Sequence, residues 1–308
     1  MRSVRKKKSH WVRILFISLF ILLLAVGTYA FTVYRSLTAA VDTMQQPIDR
    51  DKSPKREEQV TFEKQEPFSV LLLGVDERKG DRGRSDTMIV LTVNPNQKSV
   101  KMLSIPRDTR TDIVGHGTVD KINHAYAFGG VEMSMNTVEN FLDIPIDYYA
   151  QINMEGFKDI VDAVGGIKVN NTLDFTYDGK HFPKGEIKLT GAEALKYSRM
   201  RYEDPRGDFG RQNRQRDIIQ AVLKEGASFS SLTNFGDIFK ALGKNVRTNL
   251  SFDQMMDIQK NYKPAVGNVQ QVEIKGDGTI INKIWYYIVP DDEKQKIQAE
   301  LKTHLELS

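Results

Sequence analysis

The 308-residue sequence contains no cysteine. That absence excludes a disulfide scaffold, a thiolate-ligated zinc or iron–sulfur site, and thiol catalysis. Histidine is scarce as well. The five present (His10, His116, His124, His181 and His304) show no HExxH or comparable ligand spacing. A general excess of positive charge is also missing, despite a formal net charge of +4. Arg2, Arg5, Lys6, Lys7, Lys8 and Arg13 precede every acidic residue, and without them 38 basic residues face 40 acidic ones. The body of the chain therefore lacks the charge of a nucleic-acid-binding protein.

Only one long apolar run is present. Ile14 to Tyr34 is 21 residues without a charge, and at ~1.5 Å per residue it spans about 31 Å, the thickness of a bilayer's hydrocarbon core. A cleaved signal peptide has a shorter apolar stretch and a small-residue cleavage site. Here Tyr29, Phe31 and Tyr34 close the run, as in the aromatic belt of an uncleaved anchor. The six preceding positive charges predict a cytoplasmic N-terminus and an extracytoplasmic C-terminal domain on a single-pass cell-membrane anchor. Residues 1–13 then form a basic tail, 14–34 a transmembrane helix, 35–66 a polar stalk and 67–308 the catalytic domain. The stalk reading rests on composition, because DRDKSPKREEQ (49–59) offers almost no large apolar side chain.

From Phe68 onward the pattern is globular. Strands are predicted at 68–75, 87–93, 99–105, 148–153 and 269–274 from short apolar runs bounded by turn residues. Helices are predicted at 131–142, 154–164, 190–200, 208–224, 251–262 and from Asp291 onward, with a capping box at Thr190–Glu193 and a glycine stop at Gly165-Gly166. Alternating strands and helices predict a three-layer α/β/α domain around a central mixed sheet. Residues 226–308 are expected to complete the packing of that sheet.

Two features go beyond a generic α/β pattern. Asp76 ends the first strand and Asp86 opens the second across a glycine-rich loop. Antiparallel pairing would bring both carboxylates to one edge, where a hard cation needs few protein ligands beside phosphate oxygens. Without a ligand, the same residues would be an Asx turn and a solvated acid. Arginines also recur on short spacings: Arg84, Arg107, Arg199, Arg201, Arg211 and Arg214, with Gln215 one turn after Arg211. Guanidinium forks match phosphate oxygens bidentately. Surface ion pairs with Glu203, Asp204, Asp208 and Asp217 are the alternative.

Seven motifs then follow in order: LLLGVDER (71–78), RSDT (84–87), SIPRDT (104–109), KINHAYAFGG (121–130), VDAVGG (161–166), LTGAEALKYSRMR (189–201) and DFGRQNRQ (208–215). Over residues 68–225 the chain resembles the LytR-CpsA-Psr family of membrane-anchored phosphotransferases, most of all its Bacillus-type members that attach wall teichoic acid. The resemblance implies transfer of an anionic glycopolymer from a polyprenyl-pyrophosphate carrier to peptidoglycan, forming a phosphodiester. It implies Mg²⁺ (or Mn²⁺) on Asp76 and Asp86, pyrophosphate held by Arg84, Arg107, Arg199, Arg201, Arg211 and Gln215, and catalytic roles for Asp76, Asp86 and Arg107. Partners are then the lipid-linked polymer, peptidoglycan and the membrane, with no nucleic acid. An apolar tunnel for the lipid is expected between helices 131–142 and 157–164, with Ile218 and Val222. A polyprenyl-pyrophosphate hydrolase, a non-turnover receptor for the lipid carrier and a membrane-tethered transcriptional attenuator are the competing readings.

Overall fold

The computed structural model describes residues 10–75, 83–228, 242–243 and 245–307. Helix α1 (His10–Met44) contains the apolar run, and its large side chains from Ile14 to Leu24, with Val26, Tyr29, Phe31 and Tyr34, are exposed. It is long and apolar enough to cross a membrane. The hydroxyls of Ser18, Thr28 and Thr32 donate to the carbonyls of Leu15, Leu24 and Thr28 at 2.8–3.0 Å, which removes free polar groups from the span.

The helix does not stop at the end of the apolar run. Its last turns turn inward: Leu37, Val41 and Met44 are buried against the domain, the first two beside Phe252 and the third beside Val246. The polar segment that follows, read from composition as a stalk, is likewise bonded to the domain. Arg50 donates to both oxygens of buried Glu139 at 2.6 and 3.2 Å. Arg56 grips Asp147 through Nε and Nη2 at 2.7 and 2.8 Å. Charge pairing holds this segment where apolar burial alone would not.

The domain begins with β1 (Phe68–Val75), β2 (Ser85–Asn94) and β3 (Ser99–Ser104), continues through a hairpin of β4 (Arg110–Ile113) and β5 (Thr118–Lys121), and enters helix α2 (His124–Leu142). Strand β6 (Tyr148–Ile152) and α3 (Met154–Ala163) precede four short strands, β7 (Ile167–Asn171), β8 (Phe175–Tyr177), β9 (Lys180–Phe182) and β10 (Gly185–Leu189). Then come α4 (Gly191–Arg199), α5 (Asp208–Ser228), β11 (Val246–Thr248), α6 (Phe252–Asn261), α7 (Lys263–Val266), β12 (Val269–Val272), the hairpin β13 (Asp277–Ile281) and β14 (Ile284–Ile288), and α8 (Asp291–His304).

The central sheet has the order β11-β6-β1-β2-β3-β12. It is mixed: β1 pairs antiparallel with β2 and parallel with β6, and β3 pairs parallel with β12. Alternation sorts its residues. Leu71, Leu73, Val75, Met88, Val90 and Leu103 pack under α2 and α8. Val70, Ile89, Leu91, Val93, Val100 and Met102 pack on the other side with Tyr262, Ala265 and, from α5, Ile219 and Leu223. The result is the expected three-layer α/β/α domain. Both β11 and β12 come from the C-terminal third, which thus supplies the two sheet edges.

A third apolar cluster (Val161, Ile167, Phe175, Phe182, Leu189, Tyr197 and Ile218 among others) joins α3, α4 and α5 to the small hairpins. Helix α2 differs from expectation at its start. It begins seven residues before Val131 and runs across a break at Gly129 and Gly130, whose φ values are −137° and 66°. The glycine pair is a kink inside the element, not its boundary.

Candidate active site

The register of β1 on β2 shifts between Gly74, opposite Thr87, and Val75, opposite Ser85. Asp86 is therefore the extra residue of a bulge, and a bulge re-aims the side chain it carries. Gly74 permits the close approach, since a Cβ there would fall 2.9 Å from Thr87 Cβ. Asp86 is exposed at this edge. Asp76, its expected partner, lies outside the described residues.

Arg107 reaches the same edge from the turn after β3. Thr109 fastens that turn, donating to Pro106 O from its N at 2.9 Å and from Oγ1 at 2.7 Å. Arg107 Nη1 donates to Asp86 Oδ1 at 2.8 Å, and its Nε is 3.5 Å from Asp108 Oδ2. Asp108 in turn accepts from Lys121 Nζ at 2.6 Å. Burial alone would lower the Arg107 pKa, but Asp86, Asp208 and Asp108 outweigh it and raise it.

The third approach is the start of α5. Asp208 lies 2.7 Å from Arg211 Nη2 and 3.8 Å from Arg201 Nε. Burial lowers the Arg211 pKa, Asp208 opposes that, and the nearby charges of Arg107 and Arg201 lower it further. Arg107, Arg201 and Arg211 thus form one group of guanidiniums, compensated by Asp86 and Asp208. Arginine stays charged under such shifts.

The loop between α4 and α5 is held by a different arginine. Arg214 is buried and donates to Asp204 Oδ2 at 2.5 Å and to Tyr197 O at 3.1 Å, while Arg206 pairs with the same carboxylate at 3.0 Å. Burial pushes Asp204 up, but these hydrogen bonds prevail and hold its pKa at about 2. Gly210 is required by this packing, because a Cβ there would sit 1.9 Å from Asp204 Oδ2. Arg214 therefore does not share the ligand-facing side of α5 with Arg211 and Gln215. It fixes the loop that carries Arg201 and Asp208.

Next to the cationic group opens an apolar cavity of about 150 Å³. Leu72, Ile152, Met154, Phe157, Leu195 and Ile219 supply its walls, and Asp86, Arg199 and Gln215 supply its polar rim. Phe157 occupies the lining expected of it. Helix α2 does not, because it packs on the opposite face of the sheet. Ile218 points into the core cluster behind the cavity, with Val222 beside it, and Ile219 takes the lining position instead.

Of the site residues expected from sequence, Asp86, Arg107, Arg201 and Arg211 are joined by direct contacts or neighbouring charge, and Arg199 and Gln215 stand at the cavity. Arg84 is exposed at the head of β2. Asp208, Asp108 and Lys121 enter as the charge partners of these arginines. The sequence already offers Asp208 as an ion-pair partner of the arginines; only their position inside the SIPRDT and KINHAYAFGG motifs signals Asp108 and Lys121. Among the described residues no group of three His, Asp or Glu side chains could hold a metal ion. The donors that remain, Asp86 with the adjoining buried and unpaired Ser85 Oγ, fit a cation such as Mg²⁺ that keeps water and phosphate oxygens as its other ligands.

A cationic group at the rim of an apolar cavity, on a mixed α/β/α sheet, has the chemistry to take an amphiphilic phosphate ester. The family comparison agrees. The chain belongs to the LytR_cpsA_psr family, whose model matches residues 31–303. It is 57% identical over 289 residues, 94% of this chain and 95% of the relative, to the Bacillus cereus polyisoprenyl-teichoic acid--peptidoglycan teichoic acid transferase TagU. Among solved structures, Bacillus subtilis TagU matches with a TM-score of 0.65 and 53% identity, covering 79% of this chain and 98% of that one. TagT bound to LI-WTA matches with a TM-score of 0.72 and 31% identity, covering 85% and 99%.

Proposed function

We propose that this protein is a polyisoprenyl-teichoic acid–peptidoglycan phosphotransferase, which moves wall teichoic acid from its polyprenyl-pyrophosphate carrier to peptidoglycan. The observation that carries this reading is the juxtaposition of the Arg107–Arg201–Arg211 group with the apolar cavity. A lipid pyrophosphate has the same division between a multiply charged centre and a long apolar tail. Family membership and the names of the relatives support the same activity.

In the reaction, a glycan hydroxyl oxygen forms a bond to the polymer-side phosphorus. The bond from that phosphorus to the bridging oxygen breaks, and its electron pair leaves with polyprenyl phosphate. The hydroxyl proton passes to a base, for which Asp86 and Asp76 are the candidates. Among the described residues nothing forms an evident covalent nucleophile, so direct attack is the economical scheme. Catalysis is then positioning plus charge neutralisation. Arg107, Arg201 and Arg211 hold the phosphoryl oxygens, Arg199 and Gln215 hold the donor at the cavity rim, and the cavity takes the first prenyl units. Asp76 and Asp86 would hold Mg²⁺, which offsets charge on the pyrophosphate when bound. Helix α1 anchors the enzyme with its N-terminus cytoplasmic and its domain outside.

The test is transfer by the purified full chain in detergent with lipid-linked donor and glycan acceptor, followed by electrophoresis of the digested peptidoglycan. Polymer joined through a phosphodiester is expected. Release of free polymer phosphate with acceptor present would instead mean a hydrolase. Binding without product would mean a receptor.

A further inference from the structure

The end of the membrane helix is built into the wall of the apolar cavity. Met44, the last residue of α1, is 3% exposed and packs with Leu242, Val246, Ile152 and Ile160. Ile152 is at the same time a lining residue of the cavity, and it pairs with Val246 across β6 and β11. Ile160 follows Phe157, a second lining residue, at i+3 on α3. The start of α3 is clamped to the head of β11. Asn153 N and Nδ2 donate to Asn245 O and Oδ1 at 3.2 and 3.1 Å, and Asn245 Nδ2 donates to Asp159 Oδ2 at 2.9 Å. The contact is close, since a Cβ at Gly156 would fall 2.7 Å from Asn245 O. Strand β11 also carries the anchor, because Gln46 N donates to Thr248 O at 2.7 Å. Anchor end, β11 and the β6–α3 corner are thus one packed unit.

We propose that Met44 is a positioning residue for the donor lipid: the end of the anchor sets the wall against which the prenyl chain packs. This rests on the lipid-pyrophosphate reading of the site. By filling the space behind Ile152 and Ile160, Met44 fixes the corner that presents Ile152, Met154 and Phe157 to the cavity. The other buried contacts of the anchor do not have this role. Leu37 and Val41 pack with Phe252, Met255 and Met256, and none of these lines the cavity. The arrangement also sets a height. From Tyr34, where the apolar run ends, to Met44 the helix rises about 15 Å. The cavity wall stands no further than that along α1 from the membrane surface, so a prenyl chain whose far units stay in the bilayer enters the cavity alongside the anchor.

The probes are geranyl monophosphate, which presents a prenyl tail with a phosphate, and inorganic pyrophosphate, which presents charge alone. Both are titrated calorimetrically into the full chain in detergent. Met44→Ala leaves space into which Ile152 and Ile160 relax. It should weaken geranyl monophosphate roughly tenfold, while inorganic pyrophosphate binds as to wild type. Met44→Leu keeps the volume and should behave as wild type. Met44→Val removes less and should show the same split at smaller size, so the outcome does not depend on the alanine variant folding. Leu37→Ala controls for general loosening of the anchor and should leave both affinities unchanged. Prenyl phosphate affinity that ignores Met44, a joint fall of both affinities, or an equal effect of Leu37→Ala would overturn the proposal. A wild-type chain that binds pyrophosphate but not geranyl monophosphate would defeat the lipid reading of the cavity, and the proposal with it. Prenyl phosphate binding that needs Met44, in a preparation that never forms the phosphodiester, would uphold the positioning role and defeat the transferase reading.

Discussion

Arg107 Nη1 donates to Asp86 Oδ1 over 2.8 Å, so a residue suited to an anion and a residue suited to a cation neutralise each other. Donor pyrophosphate needs Arg107 and a metal needs Asp86. Each ligand therefore releases the partner that the other must engage, and binding of the two should be cooperative. With Asp86→Asn, Mg²⁺-stimulated transfer should fall at least about a hundredfold, since both a ligand and a base candidate go. Stability should hardly move, because Asp86 is half exposed and such pairs contribute little. Pyrophosphate affinity without Mg²⁺ should rise in this variant, as Arg107 is then free. Calorimetric titration with inorganic pyrophosphate checks that, and weaker binding would contradict the coupling.

The guanidiniums themselves can be tested for geometry against charge. The Arg211 side chain is only 14% exposed and is aimed by Asp208 at 2.7 Å. A charge-assisted contact is worth about 1.5–3 kcal/mol, so Arg211→Ala should lower kcat/KM about 10- to 150-fold. If the fork is gripped bidentately, Arg211→Lys should be nearly as poor. Near-wild-type transfer by the lysine variant, together with a steep dependence on salt, would reduce the group to an electrostatic funnel.

These residues also show what the sequence could and could not disclose. Short apolar runs bounded by turn residues made β1, β2 and β3 readable, and these strands are buried on both faces; the capping box at Thr190 is present as expected. The short hairpins were not readable. Strands of three to five residues such as β8, β9 and β13 carry too few alternations to stand out from loop. Motif spacing located the arginines but not their roles. Arg211 and Arg214 are three residues apart on one helix, yet only the packing of Asp204 against Gly210 decides which turns inward. The docking of residues 50–56 depends on Glu139 and Asp147, some 90 positions away, which no local pattern encodes. Likewise, the apolar side of α2 suggested a tunnel wall, and only the sheet's packing assigns it to the core on the opposite face.

That docking predicts a link between anchor and domain. Glu139 is 2% exposed, and it accepts from Arg50, Ser53 and the Ile146 amide. Arg50→Ala would leave this carboxylate buried without its counter-ion, at about 3–5 kcal/mol. A lower unfolding temperature and faster proteolysis after Lys52 or Lys55 are expected in detergent. Arg50→Ala combined with Glu139→Gln should recover part of the loss, because the amide removes the unpaired charge. A single variant as stable as wild type would mean that the segment is not held by this pair.

His304 predicts an acid-side loss of stability separate from the active site. Its ring is 1% exposed, with Nδ1 2.7 Å from Thr92 Oγ1 and Nε2 2.9 Å from Ser99 Oγ, pinning the end of α8 to the sheet. Burial lowers its pKa from 6.5 to about 4, with Lys101 adding to the effect. The sign follows from proton counts. Between pH 6.5 and about 4 the unfolded chain binds a proton on this histidine and the folded chain does not, so acid favours unfolding. The contribution is fully present above pH 6.5 and is lost as pH falls toward 4, by up to roughly 3 kcal/mol. His304→Gln keeps hydrogen-bonding capacity but cannot titrate. Its unfolding temperature should be lower than wild type at pH 7.5, and the gap should close or reverse at pH 4.5. Parallel pH profiles for the two proteins, measured by thermal unfolding in detergent, would show that His304 does not govern this acid limb.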